Sequence, residues 1–402
     1  MSQQTVRGNL LIGQSGGPTA VINASLVGAV KEALRIDAIN TVYGAIHGVE
    51  GLLNSKVIDI GHETPDALQT IMQTPSAYLG SCRYKLREDD PEKAVEILKA
   101  HNVRYFLYIG GNDSADTAHR IGAAAAAMGY DLRVIGVPKT IDNDLPVTDH
   151  CPGYGSAARA IAMATQESAL CSQAMPDHYP VKIIEVMGRY AGWLACASAL
   201  GKHTPDDAPH LIYIPERKLD YTAFLRDVRT VVRRVGYCVA VVSEHLTDTQ
   251  GKGVGEQYTQ GTDSFGHPLV AGVAQTLVDL VKSELGLRAR FDKPGDWQRM
   301  SSAHFSKTDV DDAYLVGRMA VRYAVRGVTQ KMVTLQRVPG DRYVCETGLA
   351  DLEEIANQQK LLPDEFLDKD GAMVSLAFYD YALPLIGDPL PKYARVQPRY
   401  VW

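Results

Sequence analysis

Short apolar runs alternate along this chain with longer stretches of helical pattern. Runs at 9–12, 103–109, 134–137, 181–186, 211–214 and 238–242 are apolar almost without interruption. Such runs predict strands buried on both faces rather than strands with one wet side. Helical patterns follow over 19–35, over an Ala-rich stretch at 115–128, and from 193 to about 200. A repeated strand–loop–helix rhythm predicts a mostly parallel α/β sheet with helices on both faces. Between the strands and the following elements lie the polar motifs: Gln14-Ser15-Gly16-Gly17-Pro18, Gly110-Gly111-Asn112-Asp113-Ser114, Pro138-Lys139-Thr140-Ile141-Asp142-Asn143-Asp144, Met187-Gly188-Arg189-Tyr190-Ala191-Gly192 and Ser243-Glu244-His245. Each is expected at the carboxyl edge of the sheet, where open α/β folds bind ligands. Residues 247–267 turn rich in Gly, Thr and Gln and read as a long loop or insertion.

The segment 138–144 carries the most chemistry. Asp142 and Asp144 stand two apart, with Lys139 three residues before the first. One carboxylate can take a proton from an alcohol, the other can orient a hydrated metal, and the lysine can neutralise phosphate oxygens. An Asp/Asn turn closing a strand is the ordinary alternative. The Gly16-Gly17 and Gly110-Gly111 turns let backbone N–H groups approach an anion ahead of a helix N-terminus. Neither has the spacing of a dinucleotide or Walker-type loop. Arg83, Arg189 and Arg299 are candidate phosphate clamps, because a guanidinium offers paired donors.

Composition narrows the classes. The chain has 402 residues, 46% hydrophobic and 22% charged, which suits a soluble globular protein of about two domains. A net charge of −6 argues against a nucleic-acid partner, and no apolar stretch is long enough to span a membrane. The six cysteines form no C-x-x-C pair, and Met1 to Gly8 lacks a secretory apolar segment. Both features point to the cytoplasm.

Taken together, the motifs resemble the phosphofructokinase family, specifically its pyrophosphate-dependent branch. Ser15-Gly16-Gly17, Gly110 through Ser114, Pro138 through Asp144, Glu185 through Arg189, Ser243-Glu244-His245 and Gln298-Arg299 occur in the family's order from about residue 9 to 325. The resemblance implies two Rossmann-like α/β domains with the active site in the cleft between them. A donor domain is expected from 1–146 plus about 300–345, and a sugar-phosphate domain from 147–299 plus about 346–402. The implied reaction phosphorylates the 1-hydroxyl of fructose 6-phosphate with Mg²⁺, in a homodimer or homotetramer. Asp142 matches the general base. Lys139 and Arg189 match groups reaching the transferring phosphoryl, and Gly16, Arg83, Asp113 and Lys139 the donor site. Thr140, Ile141, Met187, Gly188, Glu244, Arg290, Trp297 and Arg299 match the sugar-phosphate site, and Asn112 and Asp144 face the metal.

Two positions choose the donor within this resemblance. ATP-using relatives carry Gly where this chain has Asp113 and Lys139. A carboxylate at 113 would stand against a nucleotide's α-phosphate, while Lys139 offers charge to a small polyanion, so the expected donor is pyrophosphate. An ATP-dependent enzyme of the same fold, a NAD kinase-like enzyme and a non-catalytic sugar-phosphate sensor are the other readings. The chain also departs from the family: Asn112 replaces a metal-binding Asp, and Asp296 replaces His or Tyr. Pro180 stands where ATP-dependent bacterial members supply an Arg to a neighbouring subunit, with His178 or Lys182 as candidate substitutes. No motif is recognisable over 330–402.

Overall fold

Residues 6–258, 261, 272–340, 342–368 and 371–394 are described by a computed structural model. Their strands are β1 (Gly8–Gln14), β2 (Ile39–Ala45), β3 (Val57–Asp59), β4 (Val103–Gly110), β5 (Arg133–Pro138), β6 (Val181–Val186), β7 (Leu211–Tyr213), β8 (Cys238–Ser243), β9 (Ala289–Asp292), β10 (Lys331–Arg337) and β11 (Cys345–Asp351). They form a seven-stranded sheet in the order β11-β10-β5-β4-β1-β2-β3 and a four-stranded sheet in the order β7-β8-β6-β9. All pairings are parallel except β2–β3 and β10–β11. The six apolar runs read from sequence are all strands. The five others are short or carry polar and charged residues, as strands at or near sheet edges do.

Side-chain alternation explains why the central runs are unbroken. On β1, Leu10 and Ile12 face one core and Leu11 the other; on β4, Leu107 and Ile109 oppose Phe106 and Tyr108. The second sheet repeats this, with Ile184 and Val186 on one face of β6 and Val181 and Ile183 on the other. Both faces must therefore be apolar, and no polar alternation survives.

The chain returns to the first sheet after leaving it. Helix Lys307–Val325 packs along helix Ile22–Ala33, and β10 then pairs with β5. The return was expected to end near 345. Instead β11 pairs with β10 through Asp351, and Leu352 and Ile355 join the first sheet's core. The return helix also touches the other half. Asp309, 2% exposed, accepts N–H bonds from Gly153 (2.8 Å) and Ser156 (2.9 Å) at the start of helix Tyr154–Ala174. That helix packs with Trp193, Ile184 and the C-terminal Phe378 and Leu385 in the core of the second sheet. In the expected loop at 247–267, residues 247–258 are turns with a short 3-10 turn at Glu256–Tyr258; apart from residue 261, the rest lies outside the described residues. All six cysteines are free thiols.

Candidate active site

Adjacent parallel strands end level, so their following loops meet. Gly110 of β4 pairs with Pro138 of β5, and the Lys139 amide donates to the Gly110 carbonyl at 3.0 Å. The loop after β1 lies beside them, tied by a Ser114 to Ser15 hydroxyl bond of 2.9 Å. Its glycines keep it open. Gly16 has φ +76°, and a Cβ on Gly17 would stand 2.6 Å from Arg299 Nη1. With no side chains there, Lys139 enters the turn and donates from Nζ to the Gly17 carbonyl at 2.7 Å.

The acidic loop is shaped by its middle residue. Asn143 adopts φ +56° and is fully buried, its Oδ1 accepting from the Cys151 amide at 3.0 Å. With Asn143 turned into the protein, Asp142 and Asp144 both border the cleft. The Asp142 amide donates to Thr140 Oγ1 at 3.1 Å, which fixes the start of the turn.

The second sheet supplies the facing wall. Met187, Arg189 and Tyr190 follow β6, and Glu244 follows β8, its amide bonded to the Val186 carbonyl at 2.8 Å. Gln298 reaches across to accept from the Met187 amide at 3.0 Å, and Arg299 pairs with Asp296 at 2.6 Å. Together these loops enclose a cleft of about 330 Å³.

Burial and like charge tune the groups. Lys139, 3% exposed, is lowered to about 7 by burial and then by Arg299. Burial raises Asp142, against the pull of Lys139, Arg189, Arg299 and Arg83. Burial, then Asp142, pushes Asp144 up to about 7, and the same two causes push Glu244 up to about 7. A carboxylate surrounded by four cations, beside others that hold protons near neutrality, suits proton transfer next to an anion.

Of the expected site residues, Gly16, Arg83, Asn112, Asp113, Lys139, Thr140, Ile141, Asp142, Asp144, Met187, Arg189, Glu244 and Arg299 line the cleft. Gly188 shapes the turn at φ +120° without lining it. Trp297 does not face the cleft and is 69% exposed. It opens a single helical turn in which Gln298 and Arg299 point inward, and a step of about 100° per residue carries Trp297 outward. Arg290 lies on β9 in a separate pocket with His178, its guanidinium 3.4 Å from the centre of the Tyr179 ring. Lys182 is no substitute for a phosphate-binding Arg, because it is buried on β6. There it donates to the Ser168 hydroxyl at 2.9 Å and pairs with Asp292 at 3.2 Å. Tyr190 and Gln359 line the cleft but were missed. Tyr190 stood inside a recognised motif; nothing in the sequence marks Gln359.

The family model for phosphofructokinase matches residues 9–324. The chain belongs to the phosphofructokinase family. Among relatives, it is 46% identical to the pyrophosphate–fructose 6-phosphate 1-phosphotransferase of Xanthomonas campestris pv. campestris (strain B100), over 97% of this chain and 96% of that protein. The enzyme of the same name from Rhodospirillum rubrum is 41% identical over 98% of both chains. The crystal structure of a pyrophosphate-dependent phosphofructokinase from Nitrosospira multiformis superposes with a TM-score of 0.87 at 37% identity, covering 98% of this phosphofructokinase and 96% of that chain.

Proposed function

We infer that this chain transfers a phosphoryl group from pyrophosphate to the 1-hydroxyl of fructose 6-phosphate. The products are fructose 1,6-bisphosphate and phosphate, and the reaction is reversible. The observation that carries the donor is the pairing of Asp113 and Lys139 in one cleft beside the Gly16-Gly17 turn. Lys139 is aimed at a small, highly charged donor, and Asp113 opposes the further phosphate of a nucleotide. Asp142 takes the proton of the attacking hydroxyl. Arg189, Lys139, Arg83 and Arg299 stabilise charge on the phosphoryl group in flight, and Glu244 accepts from sugar hydroxyls.

The donor set fits a magnesium ion. Asp144 lines the cleft with Asn112, whose Oδ1 accepts among the described residues only from the Asp113 amide at 2.9 Å and keeps a lone pair. Among the described residues no group of three or more His, Cys, Asp or Glu is arranged to cage a metal. Mg²⁺ is typically held by one or two carboxylates plus substrate phosphates, so Asp144 and Asn112 would hold it against the donor. When bound, it neutralises donor charge.

We also propose that the two sheets are the cores of a donor domain and a sugar-phosphate domain, and that the enzyme acts as a homodimer or homotetramer in the cytoplasm. Arg290, displaced from its own cleft, then serves the 6-phosphate of a neighbouring copy. Among the described residues no helix is long and apolar enough to cross a membrane.

The test is to incubate purified protein with fructose 6-phosphate, Mg²⁺ and either pyrophosphate or ATP, and to measure fructose 1,6-bisphosphate. Turnover with pyrophosphate alone supports the reading. No turnover overturns it, and equal use of ATP overturns the donor assignment.

A further inference from the structure

Residues 357–362 lie beyond the stretch that matches the family model, yet they pass along the active-site cleft and put Gln359 into its lining. The polar contacts of this strap reach both walls. The Gln358 carbonyl accepts from Asn112 Nδ2 at 3.3 Å, on the donor side. Gln359 lines the cleft. The Lys360 carbonyl accepts from Trp193 Nε1 at 3.1 Å, and the Leu362 amide donates to Glu216 at 2.9 Å, both on the sugar side.

The bonds to the catalytic loop are the densest. The Lys360 amide donates to the Asp144 carbonyl at 2.6 Å, and its ammonium donates to the carbonyls of Thr148 (3.0 Å) and Asp149 (2.9 Å). One residue thus closes both ends of the segment from Asp144 to Asp149. A second anchor comes from helix Leu376–Ala382. The Tyr381 hydroxyl accepts from Asn143 Nδ2 at 2.8 Å and donates to the Asp149 carbonyl at 2.9 Å. Asn143 is the left-handed residue between the two acids, so Tyr381 holds the backbone that aims both of them. The Tyr381 ring is itself wedged against Trp193 and Phe366, with centroids at 5.4 and 5.2 Å.

We propose that Lys360 and Tyr381 are positioning residues for phosphoryl transfer, holding the loop 142–149 so that Asp142 meets the sugar hydroxyl. The proposal rests on the transfer reaction inferred above. Neither side chain lines the cleft, so neither is expected to bind substrate. Their effect is on geometry, and a reacting group displaced by about 1 Å loses roughly 10²-fold in rate.

The experiment is a mutant cycle. Tyr381→Phe removes one hydroxyl and keeps the packed ring; Lys360→Met keeps the length and removes the ammonium. Each variant is measured alone and in an Asp142→Asn background, for kcat, both KM values and Tm. In the active background each is expected to lower kcat about 10- to 100-fold, with KM for both substrates changed less than about 3-fold. In the Asp142→Asn background the same changes are expected to lower kcat by a several-fold smaller factor, because the base they position is gone and only Asp144 remains to be held. Equal losses in both backgrounds, or losses that track Tm alone, overturn the proposal in favour of a merely structural role. Unchanged kcat in both single variants also overturns it. Wild type run alongside separates the two levels: if it fails to use pyrophosphate, the reaction assignment has failed, not the positioning.

Discussion

Replacing Asp142 by Asn is the most direct test of the chemistry. The amide keeps the size of the side chain and removes its basicity. General-base catalysis is worth about 10²–10⁴-fold, or roughly 2.7–5.5 kcal/mol in the barrier, and kcat should fall by at least the lower figure. Binding should survive, because the cations that hold the anionic substrates remain and lose only an internal counter-charge. That counter-charge has its own consequence. Asp142 holds Lys139 up against burial and Arg299, and the balance of these leaves it at about 7. With Asp142 gone, Lys139 falls below 7 and is largely neutral in mild alkali. The pyrophosphate KM of Asp142→Asn should therefore climb between pH 6.5 and 8 more steeply than that of wild type, while the fructose 6-phosphate KM changes less. Initial rates of fructose 1,6-bisphosphate formation across that range measure both effects. Near-normal kcat in a folded Asn variant would refute the assignment of the base, and an unchanged pH slope would refute the coupling to Lys139.

Asp113→Gly should open the donor site to ATP while costing pyrophosphate turnover little. Lys139→Gly should cost pyrophosphate kcat/KM on the order of 3 kcal/mol, the worth of one preorganised donor; kcat/KM for both donors across single and double variants is the comparison, and wild type that already uses ATP equally well defeats the argument. Mixing inactive Arg290→Ala with inactive Asp142→Asn, then letting subunits exchange, should restore part of the activity if Arg290 serves a neighbour's cleft; no recovery despite exchange counts against it. Asp309→Ala should destabilise by roughly 2–4 kcal/mol, since it leaves the buried Gly153 and Ser156 amides without their charged acceptor. Chemical denaturation reads that loss, and a change below about 1 kcal/mol would show the contact to be dispensable.

The legible part of this fold was the part buried on both sides. β4 and β5 sit inside the first sheet with a core against each face, so apart from Arg104 and Arg133 near their starts they carry no charged side chain and the runs stand out. β3 at an edge has the sequence Val-Ile-Asp and is exposed throughout, so nothing in its pattern separates it from a loop. β11 does not alternate, and with Glu346, Thr347 and Gly348 among its residues it reads as a turn. It is identified only by the seven residues it lays against β10, a pairing that periodicity cannot reveal. The return to the first sheet therefore runs on past 345, through Asp351.

The site followed the same logic at closer range. Residues in loops directly after strands were found because the sheet edge forces those loops together, whichever way each side chain turns. Residues on strands and helices depended on facing, which spacing alone does not give. Arg290 and Arg299 are nine apart, but β9 stacks the first on Tyr179 while a helical turn aims the second into the cleft. Lys182 shares a strand face with Ile184 and is spent inside, against Ser168 and Asp292. Gln359, Lys360 and Tyr381 could not have been read at all. They carry no motif, and Lys360 and Tyr381 reach the acidic loop from more than 200 positions away. Their importance follows from an unmet need at the loop itself. The backbone from Asp144 to Asp149 belongs to no strand or helix, so its carbonyls have no ladder to enter. Lys360 and Tyr381 supply the donors that the loop's own secondary structure does not. The acidic motif is thus complete in sequence yet incomplete in structure until the C-terminal segment folds over it.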